Sequence, residues 1–352
     1  MRGGAERVIF HLIKYMLARG HVVSLILVDD RPIQFDIPEK CPVTVIGQKD
    51  PVPLKDKFLR YRTVRQVVKE SGCDVVLSMP EEVGIYVLPA MMGTGIPVVV
   101  SERNNPWVMP YKKSTRLLRR LFYPFANGLI FQTSFAASFF SEKLQKKGIV
   151  LPNPLDLDRL PPEYTGQREK VIAGAGRLAP QKNFKLLIDG FSAFYQNHPD
   201  HRLVIYGEGV LRDELTAYAA ERLPEGTYAF PGNVSDLPER LNSVAAFVLS
   251  SDFEGMPNVL LEAMAMGVPC VSTDCPSGGP RELIEDGING FLIPVGDSVA
   301  LTERLEKLMT VTGVHSSAQE IRTRFDCQIV AAQWEEYLEK IANRRRGYAA
   351  GH

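Results

Sequence analysis

The sequence predicts an α/β protein with two Rossmann-like, doubly wound domains that face each other across a cleft. Short apolar strands rich in β-branched residues alternate with helical patterns along both halves of the chain, which is typical of parallel sheets covered on both faces. This alternation is interrupted between Val150 and Gly166, where prolines and polar residues predict a linker. A length of 352 residues accommodates two domains of ordinary size.

The individual elements follow from apolar periodicity. In the first half, a helix is predicted over residues 6–19, and strands are predicted to begin at His21, Val43, Asp74, Pro97 and Gly128. In the second half, strands are predicted to begin at Lys170, Arg202, Ala245, Pro269 and Gly290, with helices over 184–195 and 210–221 and a helical stretch from Ser317. We therefore expect an N-terminal domain over 1–160 and a C-terminal domain over 167–330.

The start of the chain departs from this pattern. Gly3 and Gly4 form a glycine-rich turn that enters a helix, and in dinucleotide-type folds such a turn follows a strand. The first strand of the N-terminal domain is therefore expected to be missing from this sequence, and a truncated or wrongly assigned start is the favoured explanation. A domain that has one strand fewer is the alternative.

Composition restricts the class of protein. The hydrophobic content of 45% and charged content of 23% are those of a globular protein. The five cysteines are scattered, without a CxxC pair, which favours reduced thiols and a cytoplasmic location over a zinc site. No apolar run has the length of a membrane span, and no signal peptide is recognised.

The net charge of zero hides an asymmetry between the halves. Residues 1–160 carry 23 Lys and Arg against 15 Asp and Glu, whereas residues 161–352 carry 18 against 26. A basic first half suggests contact with an anionic surface or substrate, although attraction between the two halves is an equal alternative.

The most informative motif contains two acids, Glu254 and Glu262, eight positions apart. Pro257 suits the first position of the intervening helix, and Gly267 suits its end. Glu262 then lies near a helix N-terminus whose N–H groups attract phosphate, and Glu254 lies in the loop before it. Carboxylates repel phosphate, so these two acids are better suited to accept hydrogen bonds from hydroxyl groups. This layout suits a ligand that carries a diphosphate between two polyols, as a nucleotide-sugar does. A solvated helix face is the alternative.

Two glycine-containing turns are predicted at the same edge of the second sheet. Gly174 and Gly176 precede Arg177, and Lys182 follows five residues later, so that two cations could neutralise a diphosphate. Gly207 belongs to a third loop on that edge, and Gly209 is expected there for its backbone freedom.

These segments together resemble the family-4 retaining glycosyltransferases, which have the two-domain GT-B fold. The matching pieces, in the order of the family, are GGAERV, SERNNP, VLPNPLDLDRL, GAGRLAPQKNFKLLIDGF, IYGEG, FVLSSDFEGMPNVLLEAMAMGVPCVSTD and GPRELIEDGINGFLIPVGD. The resemblance implies transfer of a hexose or N-acetylhexosamine from a nucleotide-diphosphate sugar, UDP-linked by family habit, to a lipid-linked glycan in surface polysaccharide biosynthesis. It also implies that a helix over 331–352 crosses back to the N-terminal domain.

The resemblance assigns roles to individual residues. Arg177 and Lys182 would hold the donor diphosphate, Glu262 would bind ribose hydroxyls, and Glu254 would contact the transferred sugar. The nucleotide-sugar would also contact Gly3, Gly4, Gly176, Gly207, Gly255, Met256, Pro257, Asn258 and Val259. The leaving diphosphate would help to deprotonate the acceptor, and neither a metal nor an organic cofactor is expected.

One segment departs from the family pattern. Many relatives carry a histidine where this chain has Glu102-Arg103-Asn104. Glu102 is a candidate for assisting proton transfer, and a structural ion pair is an equal alternative.

Residues 111–125 combine five basic residues with leucines and aromatics. Such a basic amphipathic stretch can lie on an anionic membrane, although a solvated helix is the more common case. Nucleic-acid binding is not supported, because the stretch lacks a recognition motif.

The sequence is consistent with three functions: a glycosyltransferase, a sugar-nucleotide epimerase of the same fold, and a subunit that keeps the fold without turnover.

Overall fold

The computed structural model describes residues 4–30, 33, 35–47, 54–310 and 318–349, and within them the chain is an α/β protein. All pairs of named strands are parallel, which confirms the predicted fold class. The chain divides into two compact units. Residues 155–326 form the C-terminal unit, and residues 2–154 together with 327–352 form the N-terminal unit.

The N-terminal unit begins with alternating helices and short strands. In chain order they are α1 (Gly4–Ala18), β1 (Leu25–Leu27), β2 (Val43–Val45), α2 (Leu54–Ser71), β3 (Val76–Ser78), α3 (Glu81–Met91), β4 (Val98–Ser101), α4 (Lys113–Phe122), β5 (Gly128–Phe131), α5 (Ser134–Ser138), α6 (Glu142–Gln145) and β6 (Gly148–Val150). The strands form a two-stranded sheet, β1-β2, and a four-stranded sheet, β3-β4-β5-β6. Among the described residues, β1 does not pair with β3.

The C-terminal unit contains a single six-stranded sheet. Its elements are β7 (Glu169–Ala175), α7 (Phe184–Tyr195), β8 (Arg202–Tyr206), α8 (Arg212–Ala220), β9 (Tyr228–Gly232), α9 (Leu237–Asn242), β10 (Val244–Leu249), α10 (Asn258–Ala265), β11 (Cys270–Thr273), α11 (Gly279–Leu283), β12 (Phe291–Ile293), α12 (Ser298–Thr310) and α13 (Ala318–Phe325). The strand order is β12-β11-β10-β7-β8-β9. Strands β6 and β9 were not predicted from the sequence.

Both faces of the six-stranded sheet are covered, as the apolar strands require. Along β10, Phe247 and Leu249 belong to the cluster that packs with α10, whereas Ala246 and Val248 belong to the cluster that packs with α7. Each fully buried large side chain stabilises the fold by about 1.5–3 kcal/mol. This alternation explains why β10 has an uninterrupted apolar sequence.

The last helix, α14 (Cys327–Ala349), belongs to the N-terminal unit. Trp334 on this helix is fully buried, in a cluster that also contains Val99 of β4 and Ile130 of β5. Tyr337 lies one turn further on, and its hydroxyl accepts a hydrogen bond from the backbone N–H of Leu129 at 3.1 Å. The helix therefore covers one face of the four-stranded sheet.

None of the helices within the described ranges combines the length and the apolar character needed to cross a bilayer.

We predict that Tyr337→Phe lowers the free energy of unfolding by about 0.5–1.5 kcal/mol, because it removes one of the two acceptors of the Leu129 N–H, whose other acceptor is the Lys147 carbonyl at 3.3 Å. The same hydroxyl also donates to the carbonyl of Lys147. Urea denaturation followed by tryptophan fluorescence measures the change. Tyr86→Phe is the control, since Tyr86 is 43% exposed, and equal shifts in both variants would contradict the prediction.

Candidate active site

The predicted site residues of the C-terminal unit lie at the point where the strand order reverses. From β7 the chain proceeds to β8 and β9 on one side, and then returns to β10, β11 and β12 on the other. Open parallel sheets bind ligands outside the carboxyl ends of their strands at such a switch point. Gly176 and Lys182 follow β7, Gly207 follows β8, and Glu254 follows β10.

An ion pair joins the two central loops. Lys182 Nζ donates to Glu254 Oε1 at 2.5 Å, and the two side chains are 18% and 10% exposed. Ser251 Oγ donates to the same carboxylate oxygen at 2.7 Å. Burial, reinforced by the nearby Glu254, raises the pKa of Cys275 to about 12, so this thiol is neutral at physiological pH. The site therefore holds a paired lysine and carboxylate in a partly desolvated setting.

Further hydrogen bonds connect the same two loops. Ser250 Oγ donates to the backbone carbonyl of Lys182 at 2.8 Å, and Asn183 Nδ2 donates to Asp252 Oδ1 at 2.8 Å. Asn183 has a left-handed backbone with φ 43°, and its side chain caps α7 by accepting from Leu186 N–H. Asparagine tolerates this conformation better than most residues. The loop after β7 is therefore held in place from both sides.

Two cationic side chains lie at the end of β7. A Cβ on Gly176 would lie 3.1 Å from Lys182 Cε, so the glycine makes room for the lysine stem. Arg177 is exposed, and its guanidinium forms no hydrogen bond or ion pair with the described residues. One cation is therefore paired with Glu254, and the other is available to a ligand.

Helix α10 starts one residue later than the sequence predicted. Pro257 is its N-cap, with an extended backbone of φ −79° and ψ 106°, and Asn258 is the first helical residue. The prediction of Pro257 at the first helical position was wrong because its ψ angle lies outside the helical range. Since proline has no side-chain oxygen, it cannot cap the N–H groups of the first turn. Val259 is the second residue of this turn.

Glu262 lies in the second turn of α10, and its side chain is half-buried. The predicted helix end is confirmed, because Gly267 has φ 70°, and Val268 N–H bonds to the carbonyl of Ala263 at 3.0 Å. This bond, together with one from Gly267 N–H to Met264, forms a Schellman motif.

The loop after β11 also supports Glu254, and this role was not predicted from the sequence. Glu254 N–H donates to the carbonyl of Pro276 at 2.8 Å, and the Glu254 carbonyl accepts from both N–H and Oγ of Ser277 at 2.9 and 2.7 Å. A Cβ on Gly279 would lie 1.8 Å from the carbonyl oxygen of Gly255. The Ser-Gly-Gly run after a predicted strand on the same edge was the available signal.

The loop after β8 contains Gly207 and Gly209, which have different structural roles. Gly207 has φ 130°, a conformation that favours glycine. Gly209 was expected to provide backbone freedom, but its φ is not in the left-handed region. Instead, a Cβ on Gly209 would lie 2.2 Å from the carbonyl oxygen of Leu178. Close approach of two loops is therefore the reason for glycine at this position.

The remaining predicted site residues belong to the N-terminal unit. Gly3 is outside the described residues, and Gly4 is the first residue of α1. Glu102 is 1% exposed, accepts a hydrogen bond from the Tyr123 hydroxyl, and lies 3.7 Å from Arg119. Burial, together with the nearby Glu81, raises the pKa of Glu102 to about 8. This geometry favours the structural alternative for Glu102 over proton transfer to a substrate.

Two family models match adjoining stretches of the chain. Residues 2–159 match Glycosyltransferase Family 4, and residues 162–324 match Glycosyl transferases group 1. The chain is also 30% identical over 327 residues to a Campylobacter jejuni N-acetylgalactosamine-N,N'-diacetylbacillosaminyl-diphospho-undecaprenol 4-alpha-N-acetylgalactosaminyltransferase, with 87% of each chain covered. The chain belongs to the group 1 glycosyltransferases.

The glycosyltransferase is 26% identical to a second Campylobacter jejuni relative, GalNAc-alpha-(1->4)-GalNAc-alpha-(1->3)-diNAcBac-PP-undecaprenol alpha-1,4-N-acetyl-D-galactosaminyltransferase, over 97% of this chain and 96% of the relative. Among solved structures, Anabaena HepE in complex with UDP and glucose matches with a TM-score of 0.81 and 21% identity over 96% of both chains. The lipopolysaccharide outer core galactosyltransferase WaaB matches with a TM-score of 0.73 and 23% identity over 96% of both. The fold of this glycosyltransferase is therefore GT-B.

We predict that Gly279→Ala lowers the sugar-transfer rate of this glycosyltransferase by roughly tenfold to a hundredfold. The new methyl overlaps the Gly255 carbonyl, and overpacking against a fixed backbone costs about 1–3 kcal/mol or displaces the loop that carries Glu254. Gly290→Ala is the matched control, because its Cβ would lie 3.0 Å from the Cys270 carbonyl oxygen. Circular dichroism checks that both variants fold, and equal rates in the two would contradict the prediction.

Proposed function

We propose that this glycosyltransferase is a retaining enzyme that moves a hexose or N-acetylhexosamine from a UDP-sugar to a lipid-linked glycan in surface polysaccharide biosynthesis. The names of both Campylobacter jejuni relatives describe undecaprenol-linked acceptors, and several structural neighbours were solved with UDP. An enzyme with such an acceptor would work at the cytoplasmic face of the plasma membrane.

The proposal rests mainly on the Lys182–Glu254 ion pair at the switch point, beside the exposed Arg177 and the N-terminus of α10. A donor diphosphate would bind to the two cationic side chains and to the N–H groups of the first helical turn. The phosphate would replace Glu254 as the partner of Lys182. Because side chains and backbone would supply this charge compensation, we propose that transfer proceeds without a metal ion and persists in EDTA.

Release of Glu254 from Lys182 would prepare it for the sugar. The carboxylate would stay oriented by Ser251, which donates to it at 2.7 Å, and would accept hydrogen bonds from sugar hydroxyls. Glu262, in the second turn of α10, would accept hydrogen bonds from the ribose hydroxyls. The two acids would thus bind the polyols on either side of the diphosphate.

The transfer step would proceed on one face of the sugar. The bond between the anomeric carbon and the diphosphate oxygen breaks, and a bond to the acceptor oxygen forms on the same face, which retains the configuration. The acceptor hydroxyl proton passes to the leaving diphosphate. Arg177 and Lys182 would stabilise the negative charge that develops on this diphosphate, which is the main electrostatic requirement of the step.

The direct test is transfer of radiolabel from UDP-sugars into a lipid-extractable glycan fraction. Labelled lipid-linked product supports the proposal. Binding of UDP-sugar without any product would instead indicate a subunit without turnover, and interconversion of UDP-sugars without an acceptor would indicate an epimerase.

We predict that combining Arg177→Ala with Lys182→Ala abolishes detectable transfer and weakens UDP binding by at least roughly a hundredfold, since each charged hydrogen bond contributes about 1.5–3 kcal/mol. Isothermal titration calorimetry measures the affinity. Lys185→Ala with Arg202→Ala is the matched control, because it removes the same two residue types from the same unit, where the Lys185 side chain is 44% exposed and Arg202 is exposed. Unchanged turnover in the site variant would rule out the proposed diphosphate contacts.

We also predict that Glu262→Ala weakens UDP binding by about tenfold to a hundredfold while the thermal transition stays unchanged, because one acceptor of charged hydrogen bonds is lost. Glu303→Ala, an exposed acid on α12, should bind UDP as the unsubstituted protein does. A useful further comparison is binding of 2′,3′-dideoxy-UDP, which lacks the ribose hydroxyls. If Glu262→Ala reduces its affinity as strongly as that of UDP, Glu262 does not bind the ribose.

A further inference from the structure

Helix α4 of the N-terminal unit presents apolar and basic side chains to solvent on one face. Leu118 and Phe122 pack into the core cluster of this unit, whereas Leu117 and Leu121 are 68% and 57% exposed. Lys113 lies four residues before Leu117, and is exposed on the same helix face. The outward face of α4 therefore combines leucines and a cation without burying either.

Exposed aromatic rings adjoin this helix. Trp107 stacks on Phe135 with ring centroids 4.9 Å apart and contacts Phe139 edge-on at 5.1 Å. All three rings are between 37% and 46% exposed, and Tyr111 is 63% exposed. Contiguous exposed apolar groups of this kind usually mark an interaction site.

The aromatic rings are fixed to α4 by arginines. Arg119 is 3% exposed, donates to the carbonyls of Pro106 and Met109 at 2.7 and 2.9 Å, and lies 4.7 Å from the Phe139 ring centroid. Arg116 Nη1 donates to the carbonyl of Trp107 at 3.2 Å. The helix and the rings therefore form one continuous, fixed surface. We call it the aromatic–basic surface, and it comprises Trp107, Tyr111, Lys112, Lys113, Leu117, Arg120, Leu121, Phe125, Phe135 and Phe139.

The charge of this surface has one sign. Residues 103–141 contain six Lys and Arg and no Asp or Glu. Lys112, Lys113 and Arg120 are exposed and form no ion pair with any residue that the structure describes. An anionic partner would complement them. A second copy of the chain, paired symmetrically through the same surface, would instead bring like charges together.

We propose that the aromatic–basic surface docks on an anionic lipid bilayer. Tryptophan and tyrosine favour the boundary between headgroups and acyl chains, leucine and phenylalanine insert below it, and lysine and arginine bind the anionic headgroups. The surface offers all three chemistries next to one another, together with a fixed backbone. Docking on a bilayer requires neither the UDP-sugar donor nor the lipid-linked acceptor of the proposed function. Failure of the docking proposal would therefore leave the proposed function untouched, and the reverse also holds.

The test is co-sedimentation of the full chain with vesicles of phosphatidylcholine alone or mixed with phosphatidylglycerol. We expect binding to the mixed vesicles that weakens as salt is raised, and little binding to phosphatidylcholine alone. Lys113→Glu with Arg120→Glu should reduce the partition coefficient by about 30-fold or more. Leu117→Ser with Leu121→Ser should reduce it by roughly tenfold.

Matched controls separate the surface from general effects. Arg159→Glu with Arg202→Glu changes the net charge by the same amount at exposed positions of the C-terminal unit, and Val210→Ser with Val299→Ser removes exposed apolar groups there. Both controls should bind vesicles as the unsubstituted chain does. Absence of binding to the mixed vesicles, or equal losses in the controls, would overturn the proposal. Sedimentation velocity tests whether the chain self-associates. If it does so, if Leu117→Ser with Leu121→Ser abolishes this self-association, and if the chain does not bind vesicles, the surface is instead an interface with a second copy.

Discussion

The candidate site of the C-terminal unit is organised around the ion pair between Lys182 and Glu254. Strands β7 and β10 are neighbours in space but lie far apart in the chain, so the loops that follow them come together only in the folded sheet. A lysine near the carboxyl end of one strand and a glutamate at the end of the other neutralise each other at 2.5 Å. Without the partner, either charge would be left poorly compensated in a partly desolvated position. The pair therefore holds the Lys182 side chain in one position at the carboxyl edge of the sheet.

The surroundings of this pair are rigid because several independent contacts fix the same short segment. The carboxylate of Glu254 is held by Ser251, and its backbone is held on both sides by the loop that contains Ser277. Gly279 allows that loop to approach Gly255 to a distance that excludes any side chain. Preorganisation of this kind means that little ordering entropy is lost when a ligand binds. Gly279 thus helps to fix the position of Glu254 and does not itself need to contact a ligand.

The sequence predicted features that depend on local pattern and missed those that depend on long-range contact. Strands with uninterrupted apolar runs, such as β4 and β10, were identified, and α7 was predicted with the observed bounds of 184–195. Strand β6 runs directly into the proline-rich stretch that was predicted as a linker, and β9 alternates and contains a proline, so neither stands out from its neighbours. The support of Glu254 by Ser277 arises between segments more than twenty residues apart. The interior position of Glu102 was equally hidden, because an acid that follows a strand usually faces solvent.

The basic stretch after β4 illustrates why a charge pattern alone does not define a surface. In the sequence, Arg119 and Arg120 are equivalent members of one cationic run. In the structure, Arg119 lies in the interior, paired with Glu102 and bonded to backbone carbonyls of the loop that carries Trp107, while Arg120 faces solvent. The buried arginine fixes the aromatic loop, and the exposed cations provide its charge. Burial of Glu102 beside Arg119 therefore gives that acid a structural role in shaping the surface.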